Sequence, residues 1–256
     1  MRQVVVAIFL TLYACLNCVS PAWGFDLQDI NDRWQGSAHA LNGINCTQCH
    51  QDQESKTIVA TPSYESCQSC HEQAVDTFLL GKHGIRLLEN KSPLTPAMAN
   101  IPMQPSAHDR IMNCNTCHDV HSVNTVTAAV DACLSCHNDT HSLNYNQSPH
   151  GKLFVEVKAT LPRPDAQSIT CATCHLPRHV VGNGSNAKTG VNHNNTFTLL
   201  PRDRMVKEVC LNCHGMEYSF NNIFDDEVVE SNFAYGSEQD LQTLQMIRAA
   251  SANRSN

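Results

Sequence analysis

One five-residue unit, repeated six times, constrains this chain more than any other feature of its sequence. Each repeat reads Cys-x-x-Cys-His, first in the stretch GINCTQCHQD at residues 43–52. The chain has 256 residues and fourteen cysteines, of which Cys15 and Cys18 lie near the N-terminus and lack a following histidine. The other twelve all belong to the units, which are Cys46/Cys49/His50, Cys67/Cys70/His71, Cys114/Cys117/His118, Cys133/Cys136/His137, Cys171/Cys174/His175 and Cys210/Cys213/His214.

Three kinds of chemistry use cysteines in close pairs. A disulfide framework is typical of exported proteins, but it gives no reason for a histidine after every pair. With 14 histidines in 256 residues, chance would place all six with a probability of roughly 10⁻⁸. Zinc knuckles also use cysteines three apart, but they need no adjacent histidine in every pair. The pattern therefore favours covalent attachment of c-type haem.

Haem attachment uses each residue of the unit. The two thiols add to the two vinyl groups on one edge of the porphyrin, and the short spacing lets one local turn present both. The next residue then lies under the iron, where an imidazole nitrogen becomes the proximal ligand. We therefore predict six covalently attached haem c groups, held by the twelve paired cysteines, with iron bound by the histidine of each unit.

The composition indicates that haem also replaces much of the apolar core. Aromatic residues make up only 6% of the chain. After loss of the first 24 residues, six haems would leave one for about every 39 residues, so neighbouring haems must lie close together. We expect the chain not to fold without them, as small metal-dependent domains do not.

The first 24 residues are typical of a secretory signal peptide. A single arginine precedes an apolar run from Val4 to about Val19, and Ala22-Trp23-Gly24 offers small residues to a signal peptidase. The run is shorter than the roughly 18–20 apolar residues of a membrane span, and no later stretch is apolar enough to form one. We predict export to the periplasm. A lipoprotein box at Leu12–Cys15, with an outer-membrane or extracellular location, is the alternative.

Four of the eight histidines outside the units belong to an internal repeat. The order histidine, unit, unit, histidine occurs twice, and equivalent positions lie 69, 68, 66 and 67 residues apart. His39 and His108 lead the two copies, while His83 and His150 end them. We predict these four as distal iron ligands. The glycine after His83 and after His150 is expected to let the backbone approach a macrocycle closely.

Two irons then remain for the other four histidines. His121 and His179 follow a unit closely and cannot easily reach the far face of their own haem, so each would ligate a neighbouring one. His141 and His193 are the remaining candidates. Methionine is the alternative ligand, but eight spare imidazoles favour packing roles for Met98, Met103, Met112, Met205 and Met216.

Composition changes divide the chain behind the signal. Residues 25–222 are predicted to form one haem-binding domain, with repeat copies at about 37–90 and 106–157 and a two-haem segment at 158–222. A proline-rich linker, KSPLTPAMANIPMQPS, separates the copies. Residues 223–256 are predicted to hold a helix that starts at Ser237 and packs on the last haem or on another subunit, followed by a tail.

The expected fold class is mainly α with extensive irregular loops. PSYESCQSCH, TAAVDACLSCH and RDRMVKEVCLNCH are expected to form one or two helical turns leading into a unit. Strand patterns are nearly absent, and VGNGSNAKTGVNHNN reads as a polar loop.

Three later stretches resemble the octahaem hydroxylamine oxidoreductase family of multihaem cytochromes c. They are CLSCHNDTHSLNYNQSPHG, ITCATCHLPRHVVG and RMVKEVCLNCHG, and the resemblance in haem spacing covers residues 37–222. It implies a mainly helical fold, closely packed haem pairs and a bacterial periplasmic setting. This chain has six units rather than eight, and neither Tyr218 nor Tyr235 is marked as the cross-linking tyrosine of some members. Its units all end in histidine, unlike the catalytic haem of related pentahaem nitrite reductases.

Two functions fit these observations. The first is an electron carrier without catalytic residues, in which mostly bis-histidine haems pass electrons between redox partners, namely a quinol-oxidising cytochrome and a terminal reductase or outer-membrane conduit. The second is an enzyme with one open haem that acts on hydroxylamine, nitrite or a similar nitrogen or sulfur compound, with Arg178, Arg202, Arg204 and Lys207 as anion-binding candidates. The net charge of −7 with no basic tract excludes nucleic acid as an expected partner and favours docking to basic surfaces. A homo-oligomer is also compatible with the sequence.

Overall fold

The computed structural model describes residues 27–52, 54–159, 168–237, 245–247, 249–250 and 252. The predicted signal peptide and most of the predicted C-terminal helix lie outside this part of the chain. Residues 245–247 of that helix are helical, and Met246 and Ile247 are exposed. Among the described residues, no helix is both long and apolar enough to cross a membrane.

Short helices joined by irregular segments make up most of the described chain, which confirms the predicted fold class. The α-helices are Leu27–Gln35, Ala38–Leu41, Cys46–His50, Glu65–Leu79, Ile85–Leu88, Cys114–Cys117, Thr125–Ala129, Asp131–Leu134, Thr140–Asn144, Pro149–Lys158, Cys171–His175, Asp203–Glu208, Met216–Ile223 and Asp226–Glu230. Short 3₁₀ turns occur at Pro96–Met98, Pro105–Ala107, Tyr145–Gln147, Gly184–Asn186 and Cys210–Asn212. The predicted division at residue 222 falls inside the helix Met216–Ile223.

Helical structure stops or breaks at the histidine of the units. The helix Cys46–His50 ends on its histidine, and the helix Cys114–Cys117 ends one residue before His118. In the 15-residue helix Glu65–Leu79, His71 has non-helical dihedral angles (φ −115°, ψ 38°), and the helix resumes behind it. This last helix is longer than predicted, because the sequence indicated only the turn that leads into the unit.

A two-stranded antiparallel hairpin replaces part of the segment that the sequence indicated as a polar loop. Strand Arg178–Val181 pairs with strand Lys188–Val191, with Arg178 opposite Val191. β-Branched residues on both strands favour this pairing. Gly182 and Gly184 have positive φ angles of 83° and 58°, which let the chain reverse between the strands. The loop prediction was therefore wrong for Val181 and for residues 188–191, the five strand residues that lie in that segment.

The apolar core supplied by the polypeptide itself is small. Among the described residues, eleven apolar side chains are buried, and most of them fall in two separate clusters. One cluster joins Val130, Tyr145 and Phe154, and the other joins Met205, Val206 and Ile223. Domains of this size usually have one contiguous core. The two small clusters therefore need a further apolar component between the helices.

The glycine that follows the last histidine of each repeat copy packs tightly against the protein backbone. A Cβ on Gly84 would lie 2.2 Å from the carbonyl oxygen of Phe78, and a Cβ on Gly151 would lie 1.9 Å from that of Tyr145. Both distances are far shorter than van der Waals contact, so only glycine fits. The close approach at both sites is to the chain's own backbone six residues earlier, and it repeats in both copies.

Candidate haem-binding site

Three of the six units begin a new helix with the same capping arrangement. Asn45, Asn113 and Thr170 each precede the first cysteine of a unit and cap the helical turn that carries it. In return, the side chain three residues later accepts a hydrogen bond from the capping residue's N–H, as Gln48 does at 2.6 Å. Such a capping box satisfies backbone donors at both ends of the turn. It therefore fixes the turn that presents both thiols and the histidine.

Each motif histidine faces one histidine from outside the motifs. The pairs, with the distances between imidazole ring centres, are His39–His71 (5.9 Å), His50–His121 (6.1 Å), His83–His137 (6.2 Å), His118–His193 (6.2 Å), His141–His175 (6.2 Å) and His150–His214 (6.1 Å). No histidine occurs in two of these pairs. Six of the eight spare histidines are thus brought to the six units, one to each.

The spacing within the pairs fits one metal ion between two imidazoles. A metal–nitrogen bond is about 2.0–2.1 Å and the ring centre lies roughly 1.1 Å beyond the nitrogen, so two such rings would have centres about 6.3 Å apart. The observed distances of 5.9–6.2 Å are close to this value. Only the His50–His121 rings are parallel, at 7°, and the others are inclined by 43–83°. Direct ring stacking would not give one distance at such varied angles, whereas rotation about a metal–nitrogen bond does.

Backbone carbonyls select the ring nitrogen that remains for a metal in three of the pairs. His50 Nδ1 lies 2.9 Å from the carbonyl oxygen of Val59, His141 Nδ1 lies 2.5 Å from that of Val229, and His193 Nδ1 lies 3.0 Å from that of Val191. A neutral imidazole donates one N–H, so a donated Nδ1–H leaves the lone pair on Nε2. Metal-binding histidines typically have such a partner on the other nitrogen.

Burial keeps several of these imidazoles in the neutral form that binds metal. Burial, with a smaller contribution from His137, lowers the pKa of His83 to about 4. Burial also lowers the pKa of His175 to about 4, and its partner His141 adds to the shift. Both rings therefore stay neutral near pH 7, as a coordinating imidazole must be.

Thiols from successive units lie close together. A hydrogen bond with Cys114 lowers the pKa of Cys67 to about 7 and raises the pKa of Cys114. The same kind of contact with Cys133 lowers the pKa of Cys171. All twelve cysteines are nevertheless free thiols in the structure, so the described residues contain no disulfide framework.

Weaker electrostatic effects connect the remaining units. The pKa of Cys49 is raised by burial and then by Cys67 of the second unit. Burial raises the pKa of Cys117 to about 12, with a contribution from Cys133 of the fourth unit. Burial raises the pKa of Cys174 to about 12, with a contribution from Cys210 of the sixth. Each unit therefore lies next to the one that follows it in the sequence, and the six form a row.

Three of the cysteines predicted to attach haem are exposed. They are Cys46, Cys70 and Cys213. Cys70 lies in the helix Glu65–Leu79, one turn after the half-buried Cys67, and the hydroxyl of Ser69 lies 3.8 Å from its sulfur. Because the two thiols of a unit reach one edge of a porphyrin, the second can lie on the outer side of its turn. Attachment of haem at Cys70 therefore stays a prediction.

Two histidines predicted as distal ligands face no motif histidine. The side chain of His108 is 69% exposed, and its Nδ1 lies 3.1 Å from an oxygen of Asp109. Just before His108, residues 102–104 run beside the fourth unit, where Gln104 donates its N–H to the carbonyl oxygen of Cys136 at 2.8 Å. The His108 side chain lies outside this contact. His179 lies on the hairpin, where its Nε2 contacts the side-chain amide of Gln73.

Sequence reasoning missed the residues that hold this arrangement. The capping residues have a visible signal, since Asn or Thr directly precedes Cys46, Cys114 and Cys171 and a polar side chain follows three positions later. The carbonyl partners of His50 and His141 have no such signal, because Val59 and Val229 contribute only backbone atoms. Only the folded chain brings them to the imidazoles.

Comparison with known proteins finds matches both in sequence and in structure. Residues 38–125 match the sequence model of the cytochrome c3 family. This range includes the first three units and contains His39, His83, His108 and His121. The fold resembles a solved chain of the reducing HAO-like protein complex of Kuenenia stuttgartiensis, with a TM-score of 0.52 and 18% identity over 84% of this chain. This chain spans 58% of the length of that solved chain. No curated protein matches it significantly in sequence.

The family match over residues 38–125 and the shared fold support a multihaem c-type cytochrome. Its paired cysteines are of the kind that attach haem c covalently, and its fold is shared with an HAO-like protein, as the resemblance in haem spacing implied. The structure suits such a group in two respects. The imidazole pairs have the separation that one iron requires, and the apolar clusters of the described residues are small and separate. The chain thus has the histidine pairs that haem binding requires.

Proposed function

We propose that this cytochrome carries electrons along a row of six bis-histidine haems and has no open catalytic haem. The observation that carries the proposal is the meeting of each of the six motif histidines with a second imidazole at 5.9–6.2 Å. Haem iron, when bound, supplies one-electron reduction and oxidation. The histidine pairs would fill both axial positions and keep substrates from the iron.

The order of the units in space supports a continuous path. Consecutive units approach one another through their cysteines, from Cys49 and Cys67 at one end to Cys174 and Cys210 at the other. Groups attached at such neighbouring thiols would lie close together. The chain would therefore hold its cofactors as one row in sequence order rather than as separate centres.

The two ends of the row are the natural sites of exchange with other proteins. The exposed cysteines lie near these ends, with Cys46 and Cys70 in the first two units and Cys213 in the sixth, whereas Cys136 in the middle of the row is buried. Electrons would enter at one end and leave at the other. We propose a quinol-oxidising cytochrome and a terminal reductase or outer-membrane conduit as partners, with docking favoured by basic surfaces on them because this chain has a net charge of −7.

Three of the four cationic side chains named as anion-binding candidates do not favour the enzyme alternative. Arg202 forms an ion pair with Asp226 at 2.6 Å, and Lys207 forms one with Asp203 at 2.6 Å. Arg204 stacks on the ring of Phe197 and donates to its carbonyl oxygen at 2.8 Å. All three are engaged by the protein itself. They are poorly placed to hold a substrate anion at an open iron.

The setting that we propose is the periplasm. Support comes from the signal-like sequence of residues 1–24. The six units also support it, because they imply haem attachment, which takes place on exported chains. Fractionation of the native host tests this point. Recovery with the periplasmic proteins is expected, whereas release only by detergent would favour the lipoprotein alternative.

Carbon monoxide binding tests the carrier function. The protein is matured in a host that attaches haem c, and its intact mass is expected to show six added haems. The ferric spectrum is expected to be wholly low-spin, and the ferrous protein to bind no carbon monoxide, because both axial positions are filled. Carbon monoxide binding by about one haem in six would overturn the carrier and favour the open-haem enzyme.

A further inference from the structure

Residues 229–233 contact His141 and His150, which are the histidines from outside the units in the last two pairs. We call this segment the distal clamp. The carbonyl oxygen of Val229 lies 2.5 Å from Nδ1 of His141, and the side-chain amide of Asn232 donates to the backbone carbonyl of His141 at 2.9 Å. The ring of Phe233 lies edge-on to His141 at 6.4 Å between ring centres. The same ring lies 6.4 Å from His150. One short segment therefore contacts both imidazoles.

The backbone of the clamp adopts a conformation that is uncommon for its residues. Asn232 and Phe233 have φ angles of 55° and 58°, in the left-handed region that glycine favours. A bulky residue there is strained, and such strain persists only where the surroundings impose it. Here, Phe233 donates its N–H to the carbonyl oxygen of Val228 at 2.9 Å, and Val228 is 1% exposed. Observed strain of this kind is typical of functional positions.

The clamp also restricts how the His141 ring can move. The amide nitrogen of Asn232 lies 3.3 Å from Nε2 of His141, so it occupies the space beside the ring. Val229 holds the opposite ring nitrogen. Phe233 packs on the cluster of Met205, Val206 and Ile223, which connects the clamp to a buried part of the fold. The imidazole is thus held at Nδ1 by Val229, on its ring by Phe233 and at its own backbone carbonyl by Asn232, which leaves the Nε2 lone pair for iron.

We propose that the distal clamp is a positioning element that keeps His141 and His150 on the irons of the last two haems, with Asn232 acting on His141 and Phe233 acting on both. This inference rests on the proposed axial pairs His141–His175 and His150–His214. Neither residue touches the reacting atoms in this proposal. Each acts through the histidine that it holds.

The test uses full-length holoprotein with Asn232→Gly. Glycine accepts the left-handed backbone without strain, so this change removes the amide and spares the conformation. We expect about one sixth of the haem to become high-spin or to bind carbon monoxide on reduction, with a raised midpoint potential for that haem. Asn232→Asp, which also tolerates positive φ but cannot donate to the carbonyl of His141, should act in the same direction and provides a second variant if the first fails to mature.

Phe233→Ala separates the two roles within the clamp. Because Phe233 contacts both imidazoles, we expect this variant to open up to about two haems in six. Asn222→Ala is the matched control. Asn222 is 5% exposed in the same part of the molecule and donates its side-chain amide to the carbonyl oxygen of Tyr218, which is not a histidine. This control should keep the wild-type spectrum even if it lowers stability.

The outcomes distinguish the clamp from the carrier function. Carbon monoxide binding by the unaltered protein would overturn the carrier itself. An unaltered protein that stays closed, together with Asn232→Gly and Asn232→Asp variants that also stay closed, would overturn the clamp alone. An Asn222→Ala variant that opens a haem to the same extent would show a general loosening of the fold and would also overturn it.

Discussion

The two copies of the internal repeat, residues 37–90 and 106–157, share two local features but use their leading histidines differently. Asn45 and Asn113 cap equivalent helical turns, and Gly84 and Gly151 make equivalent close contacts. His39, however, faces His71 of its own copy, whereas the equivalent His108 is exposed. The two copies thus share local features, but the long-range pairing of their histidines differs.

Two of the histidine pairs join the two copies to each other. His137 of the second copy faces His83 of the first, and His50 of the first faces His121 of the second. Only the His39–His71 pair has both of its histidines in the same copy. The copies therefore interlock and are not independent folding units, despite their similar sequences.

Removal of haem should have the largest effect on this comparison, because it removes the groups that we propose join the copies. Full-length protein made in a host without cytochrome c maturation is expected to lose most of its helical structure in both copies together. Far-ultraviolet circular dichroism and limited proteolysis measure this loss. One copy that stays protease-resistant while the other is cleaved would contradict the interlocked arrangement.

The leading histidines provide the sharpest test of the difference between the copies. His39→Ala is expected to expose one iron, so about one sixth of the haem should bind carbon monoxide. His108→Ala is the matched control at the equivalent position and should bind none. Carbon monoxide difference spectra measure both. Equal binding by the two variants would mean that His108 is also a ligand and that the copies are alike.

Gly84 and Gly151, which follow the last histidine of each copy, test the similarity of the copies instead. Gly84→Ala and Gly151→Ala each place a methyl group within 2.2 Å of a backbone carbonyl oxygen, so each should lower the free energy of unfolding by about 1–3 kcal/mol. Gly36→Ala, with no atom within 4 Å of the added carbon, is the control. Denaturant midpoints compare the three variants. A large effect in only one copy would show that the structural repeat is incomplete.

The capping asparagines should give the smallest effect. Asn45→Ala and Asn113→Ala each remove a side-chain acceptor at the start of a motif helix, which typically lowers stability by about 1 kcal/mol. Similar losses are expected in the two copies, with spectra unchanged. Thermal unfolding followed in the Soret band measures this loss. A change in haem content would mean instead that the cap is needed for attachment.

The sequence predicted the fold class and the residue types of the site better than it predicted which histidine pairs with which unit. Histidine follows every cysteine pair, so the units could be found without a structure, and six of the eight spare histidines lie opposite a unit. Which histidine meets which unit depends on tertiary packing, because partners such as His118 and His193 are 75 residues apart. The repeat predicts His108 as a ligand from its equivalence to His39, whereas in the structure residues 102–104 run beside the fourth unit and the His108 side chain is exposed.

The roles of neighbouring backbone atoms could not be predicted at all. A carbonyl group such as that of Val229 has the same chemistry at every residue, so its position beside His141 leaves no trace in the sequence. The same applies to Gly84 and Gly151, whose tight contacts are with the carbonyl oxygens of Phe78 and Tyr145. For these features the pattern indicated that glycine was required, but not what it approached.

Near-infrared magnetic circular dichroism of the oxidised holoprotein tests most directly whether every iron lies between two imidazoles, because this spectrum distinguishes pairs of axial ligands. Six pairs with ring centres 5.9–6.2 Å apart predict a single class of signal, that of histidine–histidine coordination, with an intensity that accounts for all the haem. A histidine–methionine band, or a high-spin band from an iron with one open face, would contradict it.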